Sequence, residues 1–170
     1  SSKIKEPSQN LFSIKKTMNL FNIQEASPAD ITLIRELTFK VWPQTYSNII
    51  SKEQIDYMLD MMYSVVSLQK QMKDGCQFLI LYNKETPVGF ASFQKMEHDT
   101  FKLHKIYILS DHQGKGIGRY FVGQILLRIK KQNGKSLQLQ VNRHNKAKAF
   151  YERLGFVIIQ EADFDIGNGY

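Results

Sequence analysis

Gln113-Gly114-Lys115-Gly116-Ile117-Gly118-Arg119 lies between an apolar run, Ile106-Tyr107-Ile108-Leu109, and a segment whose apolar residues recur at helical spacing. A basic loop with three glycines in five positions, set between a strand and a helix, has the composition of a phosphate cradle. Glycine lets backbone N–H groups approach an anion, and the first helical turn adds the positive end of its dipole. A tight strand-to-helix turn without a ligand would use the same glycines. The neighbours narrow the choice. Gly118 is followed by Arg119 and Tyr120, so no hydroxyl is offered to magnesium, as the triphosphate loop requires. The dinucleotide spacing fails too, and no acidic residue closes a second strand about 20 residues on.

Outward from the loop, the pattern alternates strands and helices. Phe21 to Glu25 alternates apolar and polar, and Ser27-Pro28-Ala29-Asp30 supplies a cap, a first-turn proline and an acidic residue. A helix is expected there with Ile31, Ile34, Leu37 and Val41 inward, stopped by Pro43. Ser51-Lys52-Glu53-Gln54 repeats the capping box for a second helix carrying Ile55, Met58, Leu59 and Met62. Two helices thus precede the main sheet. Gln77 to Tyr82 and Val88 to Gln94 read as a hairpin, Phe101 to Leu109 as a third strand. After the loop, Phe121, Val122, Ile125, Leu126 and Ile129 mark one helix face, which Gly134 ends. Leu137, Leu139 and Val141 alternate on a strand that pairs in parallel through this crossover. Asn145 caps a last helix with Ala147, Phe150 and Leu154 on the sheet and Gly155 at its end, and Phe156 to Ile159 begins a final run.

A chain of 170 residues is sized for one domain. Residues 1–17 are set aside as a flexible, processed or engineered segment, leaving 18–170 as the domain. The net charge of +7 attracts nucleic acid as readily as a phosphorylated ligand, but no stacked-aromatic or helix-turn-helix signature supports nucleic acid. The cluster Lys115, Arg119, Lys130, Lys131 and Lys135 suits a nucleotide 3′-phosphate. Cys76 is the one cysteine, so no disulfide framework forms; in its strand-like setting it reads as packed rather than nucleophilic. His98, His104, His112 and His144 lack ligand spacing, and no metal is expected. There is no signal-type apolar core and no run near the ~18 residues of a membrane span, so the expected setting is cytoplasmic with no membrane partner.

Gln113-x-x-Gly116-x-Gly118 resembles the pyrophosphate-binding signature of the GCN5-related N-acetyltransferase (GNAT) superfamily. Asn145-Lys146-Ala147-Lys148-Ala149-Phe150-Tyr151-Glu152-Arg153-Leu154-Gly155-Phe156 resembles the segment after that family's fifth strand. The resemblance implies an α/β fold of α/β/α sandwich type, with a mixed, mostly antiparallel sheet splayed between strands 4 and 5. It implies acetyl-CoA as cosubstrate and an amine as acceptor, a small amine such as a polyamine or a protein or peptide amino group, attacked directly in a ternary complex. Ile106, Tyr107 and Ile108 would line the thioester arm, or serve only as core strand. Gln113, Gly114, Lys115, Gly116, Ile117, Gly118 and Arg119 would hold the pyrophosphate, chiefly through main-chain N–H groups. Asn145 would cap its helix and touch the cofactor.

Tyr151 matches the family tyrosine that protonates the leaving thiolate, and an ordinary phenol is protonated at neutral pH; the competing role is core packing. His104, nine residues before Gln113, stands where some members carry a catalytic histidine, with Glu97, His98 and Lys102 as rivals for the base. Trp42, Tyr46, Tyr57, Met61 and Tyr63 divide between core and an acceptor pocket. Family members usually finish with an antiparallel strand, so the end at Ile166 to Tyr170 implies a missing last strand and an open edge, either filled by another chain, as in a homodimer, or left frayed. The other class of function is a CoA-binding sensor or regulatory module without catalysis.

Overall fold

The computed structural model describes residues 20–114, 116–141 and 147–159. Strand β1 (Phe21–Glu25) leads through a 3-10 turn (Pro28–Asp30) into helix α1 (Ile31–Tyr46), then α2 (Lys52–Tyr63) and α3 (Val65–Lys73). Strands β2 (Gln77–Asn83), β3 (Thr86–Lys95) and β4 (Thr100–Ile108) follow, then α4 (Ile117–Lys131), β5 (Ser136–Leu139) and α5 (Ala147–Arg153). The caps read in the sequence are made. Ser27 N–H donates to Asp30 Oδ2 at 2.9 Å, and Ser51 and Gln54 exchange bonds of 3.0 and 3.2 Å.

The sheet order is β1-β2-β3-β4-β5, with every pair antiparallel except the parallel β4–β5 pair. Each face carries its own core. Phe78, Ile80 and Phe90 pack with Ile34, Leu37, Trp42, Leu59, Tyr63 and Leu68 of α1 to α3. Leu79, Leu81, Ala91, Phe93, Phe101 and Leu103 pack with Ile117, Phe121, Ile125 and Ile129 of α4. This is the expected sandwich.

Several local expectations are corrected. Pro43 does not stop α1, which runs on to Tyr46. A proline in the last turn forfeits one ladder bond only. Beyond it, Ser47 N–H bonds to Pro43 O at 3.2 Å, and the Trp42 and Tyr46 rings pack 4.6 Å apart. A third helix, α3, also precedes the sheet: Ser64 Oγ caps it by accepting from Ser67 N–H at 3.1 Å, and Leu68 anchors it in the core. On α4, Leu126 is 43% exposed and so lies off the buried face. The left-handed residue after α4 is Asn133, while Gly134 stands where a Cβ would meet the Phe101 ring at 2.6 Å. Phe156 to Ile159 forms no strand, and Val157 and Ile159 are each 80% exposed. The expectation about Ile166 to Tyr170 lies outside the described residues.

Candidate active site

Two irregularities in β4 create the site. Phe93 pairs with Leu103 and Ser92 with Lys105, so His104 is an extra residue, a bulge. It changes the faces. Leu103 joins the α4-side core, yet Lys105, two residues on, lies over the rings of Tyr63 and Phe78 on the opposite face. Pairing with β5 ends at Leu103 and Leu139, while β4 continues against β3 to Ile108. Leu109 N–H donates to Val88 O of β3. Strand alternation therefore turns the main-chain groups of Ile108 and Ile106 toward the edge that β5 has left.

Gln113 reaches that edge. Its Nε2 donates to Ile108 O at 2.8 Å, tying the loop back to the strand. Gly114 and Gly116 hold φ of +84° and +79°, values that a side chain resists. Gly118 serves packing instead, since a Cβ there would stand 3.0 Å from Phe150 Cζ of α5. Ile117 is buried in the core, and its N–H donates to Gly114 O at 3.2 Å. The Gly118 N–H, in the first turn of a 15-residue helix, has no intrahelical carbonyl to meet. Main-chain amides at this mouth, with Arg119 exposed beside them, suit a diphosphate. Lys115 and Asn145, assigned to the same ligand, lie outside the described residues.

Tyr151 is 8% exposed, between the rings of Phe150 and Phe156 at 5.3 and 5.7 Å. Burial first, and Tyr46 second, hold its phenol well above the ordinary value, so it carries its proton across the working pH range. Tyr107 is raised likewise, by burial and then by the surrounding tyrosines, and its Oη lies 2.9 Å from Tyr46 Oη.

His104 is not brought to the loop. Its Nε2 lies 2.9 Å from Gln94 Oε1, and Gln94 Nε2 donates to Asp74 O at 2.8 Å. Gln94 thus offers the ring an acceptor, which places the imidazole proton on Nε2 and the lone pair on Nδ1. Burial, then Lys102 and Lys105, push the His104 pKa down to about 4.

Sequence reasoning missed Lys105. It is 7% exposed, donates to Gln71 Oε1 at 2.6 Å, and is pushed by burial to a pKa of about 8. The signal was a lysine amid apolar strand residues, but its inward face depends on the bulge. Of the residues divided between core and acceptor pocket, Trp42 and Tyr63 are core and Met61 is exposed. Cys76 is half-buried beside β2, its thiol pushed up chiefly by burial. Among the described residues, no group of three or more His, Cys, Asp or Glu could hold a metal, and no helix is long and apolar enough to cross a membrane.

A family model described as an acetyltransferase (GNAT) domain matches residues 47–167. A [ribosomal protein bS18]-alanine N-acetyltransferase of Haemophilus influenzae is 35% identical over 69 residues, covering 41% of this chain and 47% of that one. The chain thus spans about half that relative's length. A spermidine N(1)-acetyltransferase of Thermoplasma acidophilum is 25% identical over 142 residues, covering 80% and 88%. Among solved structures, the PaiA N-acetyltransferase of Thermoplasma acidophilum in complex with coenzyme A superposes with a TM-score of 0.74 at 21% identity, covering 84% and 92%. A GCN5-related N-acetyltransferase from Rhodopseudomonas palustris gives 0.72 at 18%, covering 88% of each chain.

Proposed function

The chain belongs to the GNAT acetyltransferase superfamily, and from that premise we propose that it moves an acetyl group from acetyl-CoA to a primary amine by direct attack in a ternary complex. The observation that carries this reading is the juxtaposition of the glycine loop with the edge of β4 that, among the described residues, has no strand partner on the β5 side past Leu103. Gln113 joins the two through Ile108 O, and Gly118 joins the loop to the helix bearing Tyr151. In this reading the loop, set against both β4 and α5, gives amides to a diphosphate, Ile106 and Ile108 give strand groups to an amide-containing arm, and Tyr151 gives a phenol to the leaving sulfur.

Tyr151 is the acid. Its raised pKa keeps the proton available until a thiolate forms. His104 is the proposed route for the proton shed by the incoming ammonium. With a pKa of about 4 it serves through Nδ1 as a relay to solvent rather than as a store of charge. Lys115 and Asn145 complete the cofactor contacts.

A polyamine is the favoured acceptor. The spermidine-acetylating relative aligns over 142 residues, against 69 for the one acting on a ribosomal protein's alanine. Glu53, Asp56 and Asp60 line one exposed side of α2 at i, i+3 and i+7, carboxylates that would attract a polycation to an otherwise basic chain. The test is release of free thiol from acetyl-CoA with spermidine and with an alanine-terminated peptide, beside Tyr151→Phe. Turnover with neither acceptor, while the chain still binds CoA, would favour a sensor module. Turnover with a Tyr151→Phe kcat equal to that of the wild type would remove the phenol from the mechanism.

A further inference from the structure

We propose that Gln44, on the last turn of α1, is a positioning residue for the cofactor: it fixes the entry of the glycine loop against the end of β4. The proposal rests on the acetyl-transfer reading for the identity of the ligand. Gln44 Oε1 accepts from Ser110 N–H at 3.1 Å, and Tyr46 Oη, on the same turn, lies 2.9 Å from Tyr107 Oη. Tyr107 and Ser110 flank Ile108 and Leu109, and Ile108 O is the acceptor that Gln113 Nε2 reaches at 2.8 Å. One helical turn therefore grips this short stretch at both ends, while the glycine loop holds its middle.

Little else holds the stretch in place. Among the described residues, β4 has no partner on the β5 side past Leu103, and its ladder to β3 closes with Leu109 N–H on Val88 O at 2.9 Å. Beyond that bond the chain turns on itself. His112 N–H donates to Leu109 O at 2.9 Å and Gln113 N–H to Ser110 O at 3.2 Å. Ser110 N–H leaves this local pattern and goes to a side chain 66 residues away.

The turn that supplies Gln44 brings α1 no ladder bond at Pro43, which has no N–H to give. The helix nevertheless keeps three residues past Pro43, namely Gln44, Thr45 and Tyr46. Two of the three make the bonds described above. Gln44 and Ser110 are both exposed, so water can satisfy either group when their bond is broken. Folding stability therefore gains little from the bond. The loop is different, because small displacements of groups that orient a ligand are costly to its binding and reaction.

The experiment compares the full wild-type chain with Gln44→Met, which keeps the length but removes the acceptor, and Gln44→Glu, which keeps an acceptor. Acetyl-CoA is titrated calorimetrically in about 0.3 M salt, where the field of an added carboxylate is screened. Gln44→Met should weaken binding by about threefold or more, and Gln44→Glu should stay within about twofold of wild type. Hydrogen exchange at Ser110 N–H should quicken in the methionine variant alone, and both variants should melt within about 3 °C of wild type. A smaller loss of affinity in Gln44→Met, a loss that Gln44→Glu fails to restore, or a larger fall in Tm overturns the role. If the wild type shows no affinity for acetyl-CoA, the acetyl-transfer reading fails and the role falls with it. Wild-type binding that Gln44→Met leaves unchanged rejects the role alone.

Discussion

Gly118 and Phe150 meet because one of them has no side chain: a Cβ on the helix residue would stand 3.0 Å from the ring's Cζ. Alanine there asks the ring to yield slightly, and valine asks more. Overpacking of this kind costs ~1–3 kcal/mol. Gly118→Val should therefore weaken CoA binding by roughly 5- to 100-fold and lower Tm, with Gly118→Ala closer to wild type. Calorimetric titration measures it, and a valine variant that binds as tightly as wild type would show that the loop and α5 need not touch.

Gln113 spends its side-chain donor on Ile108 O. Gln113→Ala loses a bond worth ~1 kcal/mol, so the loop should detach from β4 and the CoA dissociation constant rise by about fivefold. Gln113→Glu should do at least as much harm, because a carboxylate offers that carbonyl no proton. Equal binding by all three proteins would mean that the loop holds its shape without the strand.

Lys105 is a buried cation whose folded pKa is lowered from 10.5 to about 8. The unfolded chain binds the proton more tightly, so the penalty is full below pH 8 and is relieved as pH rises toward 10.5. It amounts to on the order of 3 kcal/mol. Wild-type stability should accordingly rise relative to Lys105→Met between pH 7.5 and 9.5, measured by urea unfolding. Parallel pH curves would show that the ammonium is not paying this desolvation.

His104 shows the same sign at lower pH. Its folded pKa near 4 lies below the ordinary 6.5, so the stability it permits is complete above pH 6.5 and is lost as pH falls toward 4. His104→Gln should flatten that acid-side loss. In activity, any limb owed to His104 belongs near pH 4 to 5 in kcat/KM. A limb at 6.5 that persists in the variant would belong to another group.

The strands flanking the loop and the cap at Ser51 were legible because each rests on neighbouring residues, and the parallel pairing of β4 with β5 because a helix crosses between them, whereas α3 escaped. The loop's glycines were equally plain, but their division of labour was not: Gly116 needs its backbone angle, while Gly118 answers to a ring 32 residues away. Pro43 misled because packing of Trp42 on Tyr46 carries α1 past a lost bond. The inward turn of Lys105 and the meeting of Tyr46 with Tyr107 escaped because both depend on a one-residue insertion, which no periodicity read along β4 alone reveals.

That insertion gives β4 a parity. Deleting His104 would move every later side chain of the strand to the opposite side: Ile106 and Ile108 would trade sides with Lys105 and Tyr107. An ammonium would then be driven toward Phe121 and Ile125, and isoleucines would stand where the phenol meets Tyr46. The strand can change its residues, but not its count, without turning the groove inside out.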